Sequence, residues 1–501
     1  MSLRKLASET AIYGLSSILG RGLYFLLTPL YTDIFTTFES GIQTDVFALL
    51  SFLMVLATFR LDIAYFRNYK SEDPSTLFAT SFLTTAGIGM LLGGGLLFLS
   101  PWLGYVSGYP AYQWLFALAG GILLFDAMVE LPLAKLRMEQ RPWRFAVVRL
   151  TGIGVNLGLN IFWLYLLPKW PNAPEWLATP FAGITYIFLA NIIASAAVFL
   201  LLTPELKSMK WQIDFKLLKK LLVFSSPLVV VGFSYIINEM LDRKLLPILW
   251  PGGKLEGLEL LGVYGQNYKL AMLLALFTQA FRYGAEPFFF RESGAVGAQE
   301  NYARLARYFL IASLFGFLVV SLFLPVFSQT FLQDDSYRVG SDVVPILLLA
   351  NLCLGMYYNF SVWYKVTDKT KMGAYISLGG ATITIVLNIL LIPKYGFYGC
   401  AWTTLTCYLT MMAASWWLGR KHYPIPYDLK AMWAYTILAL VIFGAYWQLS
   451  PKLGTSVLDL AISGGSNTIW LGNLGLGTAG LLLFAGAVWI NERKQLRKLI
   501  T

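Results

Sequence analysis

Charged side chains stand inside long apolar runs of this chain. Arg21, Arg60, Asp62, Asp126, Glu130, Arg149, Glu239, Lys269, Arg282 and Glu286 are each set among aliphatic, aromatic and small residues. A charge at mid-bilayer costs roughly 2.5–3.5 kcal/mol on insertion scales, so by default it faces a partner or a wet cavity. Spacing begins to sort them. Asp126 and Glu130 are four apart and share one helix face, as do Arg282 and Glu286. Arg282 and Glu286 could form an ordinary pair near the interface, Glu239 and Lys269 could pair between adjacent helices, and Asp126 or Glu130 could neutralise Arg149 or Arg60. Arg21 has no acidic neighbour three or four residues away, which favours a cavity-lining role. A guanidinium stays charged at any relevant pH, and its planar fork grips phosphate through two bonds.

Other chemistry is thinly represented. His422 is the only histidine, so neither a histidine-rich metal site nor a Ser-His-Asp triad has support. Gly475-Leu-Gly477-Thr-Ala-Gly480 matches a dinucleotide-loop spacing, but no strand precedes it and it reads as helix-packing glycine. No Walker A sequence is present. Cys353, Cys400 and Cys407 all fall within apolar runs and read as small packing residues. The pairs Gly89/Gly93 and Gly154/Gly158 have the four-residue spacing that allows helices to approach closely. No cofactor is expected and no enzymatic activity.

The elements that must position the charges are membrane spans. Crossing a bilayer as a helix takes about 20 apolar residues. Fourteen candidates run over 8–31, 42–65, 78–99, 111–134, 143–167, 178–202, 217–241, 262–286, 306–328, 342–364, 372–392, 397–419, 430–449 and 470–490. Apolar residues make up 57% of the chain and charged residues 13%, against about 25% charged in soluble proteins. With a cytoplasmic N-terminus, 26 Lys and Arg fall on the inner side and 7 on the outer. That asymmetry over short loops predicts cytoplasmic termini and an even number of spans. The net charge of +11 therefore reflects orientation in a membrane, not nucleic-acid binding. No connector is long enough to fold as a catalytic domain, which argues against a membrane polymerase or glycosyltransferase. The fold class expected is an all-α integral membrane protein.

A repeat organises the spans. Residues 137–161 and 365–389 align without gaps and share six of 25 positions, including Gly152/Gly380 and Asn160/Asn388. Each segment then reaches a Pro-Lys, Pro168-Lys169 and Pro393-Lys394. The repeat places spans 1–6 opposite spans 7–12 as parallel repeats, an arrangement of some transporters. The expected domains are an N-lobe over 1–210, a C-lobe over 211–421 and two additional helices within 422–501.

Two segments carry a resemblance. Residues 387–401, LNILLIPKYGFYGCA, resemble the span 11–12 hairpin of polysaccharide transporters, the oligosaccharide flippase branch of the MATE-like exporter superfamily. Residues 14–32, GLSSILGRGLYFLLTPLYT, resemble that branch's first helix. Cys400 stands where a second small residue is usual. The resemblance implies two six-helix bundles plus two C-terminal helices, rocking around a cationic cavity, with the last two helices helping to form a groove for a lipid tail. It implies a flippase that moves a polyprenyl-diphosphate-linked oligosaccharide from the inner to the outer leaflet of the cytoplasmic membrane, in exchange for H+ or Na+. Its partners would be membrane lipid and the enzymes of glycan assembly that make surface polysaccharide or lipopolysaccharide. Under that reading the diphosphate meets Arg21, Arg60, Arg149, Lys269 and Arg282. Asn156 and Asn160 hydrogen-bond sugar or bond between helices, and Asp126, Glu130 and Glu239 couple the ion. The alternative is a cation-coupled antiporter of drugs or organic cations, which calls for an acidic pocket.

Overall fold

The computed structural model describes residues 14, 19–20, 22–174, 177, 183–207, 209–292, 294–450 and 467–500, and no strand occurs among them. The principal helices are α1 Thr28–Ile34, α2 Thr37–Thr58, α3 Leu61–Asn68, α4 Pro74–Phe98, α5 Ser100–Ser107, α6 Trp114–Met138, α7 Pro142–Ile161, α8 Thr185–Leu202 and α9 Phe215–Leu249. There follow α10 Lys254–Glu292, α11 Ala298–Leu322, α12 Leu324–Phe331, α13 Asp335–Arg338, α14 Val343–Phe360, α15 Val362–Val366, α16 Thr370–Tyr395, α17 Phe397–His422, α18 Leu429–Leu449 and α19 Asn467–Ile500.

Eleven described segments are long and apolar enough to cross a membrane. Predicted spans 8 and 12 are the helices α10 and α17, of 39 and 26 residues. Gln266, Asn267, Lys269 and Gln279 dilute the first of these, and threonines with Tyr and Trp dilute the second. Nearly half of the first predicted span lies outside the described residues, Arg21 among them. Helix starts follow local chemistry. Thr36 and Glu39 form a reciprocal capping box at α2, and Asp73, Asp214 and Asp428 cap α4, α9 and α18 with their side chains.

Packing divides the chain into two compact units, residues 1–262 and 263–501. In the first, α4 crosses α6 on small residues. A methyl added at Gly93 would stand 2.5 Å from the Gly120 carbonyl oxygen, and one at Gly89 would stand 2.9 Å from the Ala127 Cβ. The spacing expected to permit close approach does so here, whereas Gly154 and Gly158 face open space. One end of this unit, the Arg137 end, buries Leu61, Tyr65, Phe78, Phe82, Leu131 and Leu221 together. The other, the Tyr109 end, holds the start of α2.

In the second unit Gly355 seats the Phe309 ring and Gly419 seats Trp363, whose indole N–H donates to the Ser415 carbonyl at 2.9 Å. Cys353, Cys400 and Cys407 are free and buried. The C-terminal helices are tied to α11 by charge: the Arg307 guanidinium bonds Asp428 at 3.1 Å and also the buried Glu492, which accepts from the Tyr435 hydroxyl at 2.6 Å. The repeat-related Asn160 and Asn388 are both fully buried. Asn160 is hydrogen bonded, while neither amide atom of Asn388 has a partner among the described residues.

Candidate functional site

The first unit contains a cavity of about 470 Å3 whose walls come from five helices and one helix break. From α2 it takes Phe47, Leu50, Ser51, Met54, Val55 and Thr58, a stripe at helical spacing. From α6 it takes Ile122, Leu123, Asp126 and Glu130, also one face. Asn191 comes from α8, Tyr235 and Ile236 from α9, and Asp62 from α3. Arg60 lies at the break itself.

That break is unusual in its residues. Phe59 and Arg60 both adopt left-handed backbone conformations, with φ of 45° and 53°. Such conformations cost L-residues roughly 1–3 kcal/mol each and favour glycine. The Phe59 N–H closes α2 on the Leu56 and Val55 carbonyls, and the Arg60 carbonyl opens α3 by accepting from Ile63 and Ala64. The turn thus ends one helix, starts the next and projects the Arg60 side chain from between them. Its guanidinium makes no hydrogen bond or ion pair with any described residue. Asp62 likewise has no such partner among the described residues. The other two carboxylates are occupied. Asp126 accepts from the Ser195 hydroxyl at 2.6 Å, and Glu130 lies 3.7 Å from Arg137. Arg149 is exposed and sits within electrostatic reach of Asp126.

Of the charges singled out in the sequence, Arg60, Asp62, Asp126 and Glu130 are thus brought together. Asn156 and Asn160 do not line this cavity. Both are buried, the Asn160 amide donates to the Asn156 carbonyl at 2.8 Å, and the Tyr31 hydroxyl donates to Asn160 at 2.9 Å. These bonds describe an interhelical tie between α1 and α7. Glu239 is half-buried on α9, and Lys269 half-buried on α10 in the second unit. Arg282 bonds Glu286 at 3.2 Å and faces the Tyr358 ring at 4.0 Å, and Lys365 reaches the same Glu286 at 2.9 Å.

The Tyr109 end of the first unit is closed by residues that the sequence reading missed. Asp45, on α2, accepts from Lys244 at 2.6 Å and from the Tyr109 hydroxyl at 2.8 Å. Burial first, and then the Asp45 carboxylate, push the Tyr109 phenol well above its ordinary pKa, so it remains a donor. Beside them two backbones touch. A methyl at Gly41 would lie 1.9 Å from the Leu258 carbonyl oxygen, and one at Gly262 would lie 1.8 Å from that of Thr37. Lys254 completes the closure on the Val106 carbonyl. Ser195, Asn191 and Tyr235 were missed as well, being polar residues with no charge to draw attention inside apolar runs.

The second unit has its own concavity, an apolar groove of about 690 Å3. Leu273, Leu274 and Phe277 of α10, Ile311, Ala312 and Phe315 of α11, and Phe484, Val488 and Trp489 of α19 line it.

A family model described as MatE matches residues 248–390. No curated protein sequence matches the chain significantly. Among solved structures, the lipid II flippase MurJ in an inward closed conformation superposes with a TM-score of 0.73 at 13% identity, over 98% of this chain and 99% of that one. A point mutant of the MATE transporter VcmN of Vibrio cholerae superposes with a TM-score of 0.55 at 15% identity, over 84% of this chain and 95% of its own. The MATE multidrug transporter DinF-BH gives 0.56 at 16% identity, over 84% and 96%. The chain therefore has the helical membrane fold that these flippase and transporter structures share.

Proposed function

We propose that this protein is a non-enzymatic flippase that carries a polyprenyl-diphosphate-linked oligosaccharide from the inner to the outer leaflet of the cytoplasmic membrane by alternating access. Both termini face the cytoplasm, so the Arg137 end is the inner end. The observation that carries the reading is the Arg60 guanidinium, held without a described partner in the wall of a cavity within a membrane span. An unpaired cation there is costly unless an anion arrives, and a diphosphate suits its planar fork. The apolar groove supports a cargo with a long tail, because α19 supplies one of its walls. The MurJ structure overlays almost the whole chain, whereas the two MATE structures leave about a sixth of it uncovered. Arg21, Arg149, Lys269 and Arg282 remain the further candidates for the cargo anion, and Asp126, Glu130 and Glu239 those for an H+ or Na+ coupling ion.

A second reading has one observation in its favour. The cavity wall carries Asp62, Asp126 and Glu130 against a single arginine, and an acidic pocket suits a cation-coupled drug antiporter. Reconstitution separates the two. Purified protein in liposomes is given a fluorescent polyprenyl-diphosphate saccharide and, separately, a lipophilic cationic dye. The flippase reading expects the saccharide to cross, Arg60→Ala to lose at least about tenfold in rate, and Arg60→Lys to fall between. Wild-type crossing rates in Arg60→Ala, or movement of the dye alone, would overturn it.

A further inference from the structure

We infer that Gly232 of α9 is a positioning residue: it is the seat that holds the Arg60 guanidinium open to the anionic group of the cargo. This rests on the reading of Arg60 given above and adds a second residue to it. A Cβ built on Gly232 would lie 2.8 Å from Arg60 Nε, 2.9 Å from Nη2 and 3.2 Å from Cζ. The guanidinium therefore occupies the space that any side chain at position 232 would fill. Ser225, seven residues earlier on the same helix, donates its hydroxyl to the Arg60 carbonyl at 3.4 Å. Seven residues of helix rise about 10 Å. The Arg60 side chain thus runs along α9, with its backbone at the level of Ser225 and its charged tip at the level of Gly232. Tyr235 and Ile236, three and four residues beyond Gly232, share its face and line the cavity.

The consequence is specific to the tip. The atoms that a methyl at position 232 would strike are the far end of a flexible side chain, so the helices need not move. Arg60 moves instead. The cavity it would swing into carries Asp62, Asp126 and Glu130. A guanidinium evicted toward those carboxylates is neutralised and no longer available to a diphosphate. The seat and the two left-handed residues at the break then act together: the break sends the side chain out between α2 and α3, and the glycine keeps its tip against bare backbone.

A double-mutant cycle in nanodiscs tests this, with a short-chain polyprenyl diphosphate and the corresponding uncharged alcohol as probes. Gly232→Ala should weaken diphosphate binding by about tenfold or more, leave alcohol binding unchanged, and leave the thermal midpoint near that of the wild type. In an Arg60→Ala background the same substitution should have no further effect on diphosphate binding. Should Gly232→Ala unfold the protein, Arg60→Ala/Gly232→Ala should restore the fold, since truncation makes room for the methyl. Unchanged diphosphate affinity in Gly232→Ala overturns the inference. So does an equal loss in both backgrounds, which would place the effect in α9 itself, or a double variant that fails to recover stability. If Arg60→Ala binds the diphosphate normally, the reading of Arg60 falls and the seat with it, a result distinct from failure of Gly232→Ala alone.

Discussion

Asp45→Asn should loosen the Tyr109 end of the first unit without unfolding it. Asp45 is the hub of that closure, accepting from Lys244 and Tyr109 at once. The asparagine keeps the shape and removes the charge, leaving the Lys244 ammonium uncompensated. Removing one partner of a buried pair costs roughly 3–5 kcal/mol, and exposed pairs contribute about 0–1. The Asp45 side chain is 7% exposed and that of Lys244 is 24% exposed. The pair falls between those limits, nearer the buried one, at about 2–3 kcal/mol. If the cost appears only in the closed arrangement, the ratio of open to closed molecules rises about 30- to 150-fold.

Spin labels can read that ratio at Tyr105→Cys and Leu255→Cys, two exposed sites flanking the Lys254–Val106 contact. The three native cysteines are buried. The parent should show one short distance, and Asp45→Asn should add a longer population. Gly41→Ala should do the same by another route, since its methyl would meet the Leu258 carbonyl at 1.9 Å and backbone cannot yield cheaply. The exchanged pair Asp45→Lys/Lys244→Asp should recover much of the closed population. An unchanged distance distribution in both Asp45→Asn and Gly41→Ala would refute the assignment of these contacts to a closure that opens.

Two further outcomes follow from other parts of the molecule. Ala312→Trp places a large ring in the apolar groove; displacing one isoprenyl-sized length of tail, four or five methylene equivalents at about 0.8 kcal/mol each, should weaken long-tailed cargo by about 100-fold or more. A short-tailed analogue should be spared, and equal losses for both tails would remove the groove from the binding site. The Asp73 carboxyl is held below the ordinary carboxylate range by hydrogen bonds from the Thr76 hydroxyl and backbone N–H, with a smaller contribution from Lys210. A depressed carboxyl contributes stability that is present above its unfolded pKa of about 3.9 and lost as pH falls through the folded value. The thermal midpoint in detergent should therefore separate the wild type from Asp73→Asn at pH 6, and the gap should shrink as pH falls below the ordinary carboxylate range; a gap that does not change with pH would contradict this.

Much of the fold was legible because lipid imposes a coarse requirement. Length and apolarity alone place α4, α6, α14, α16, α17 and α18 within a few residues of their bounds. Asp126 and Glu130 were legible as one face for the same reason that any i,i+4 pair is. The break at Phe59 and Arg60 was not, because neither residue type announces a left-handed turn and no glycine or proline stands there. Asp45 lies three residues inside the predicted edge at 42, while Lys244 falls in a predicted loop. Their contact depends on how α2 and α9 cross, which no local pattern records. Arg137 likewise falls in a predicted loop, yet α6 continues far enough for it to reach back to Glu130. Gly41, Gly232 and Gly262 show the general difficulty. A glycine's contribution at a crossing lies in what approaches it, and that belongs to another helix.

The charges of the first unit's cavity bear on the choice between an anionic and a cationic cargo in a way that a count of signs conceals. Three carboxylates against one arginine suggest an acidic pocket, but availability matters more than number. Asp126 is engaged by Ser195 and Glu130 by Arg137, so neither is idle. What remains is one guanidinium and one carboxylate, Arg60 and Asp62, two residues apart across the break. A site that offers both signs can bind a cargo anion through one and a coupling cation through the other, provided the two do not neutralise each other first. The break prevents that. Asp62 begins α3 in its first turn, whereas Arg60 is directed along α9 to the level of Gly232. An antiporter of organic cations has no use for a strained turn that keeps an arginine away from its neighbouring aspartate. A carrier of diphosphates does, because its binding charge must be free each time the cavity reloads.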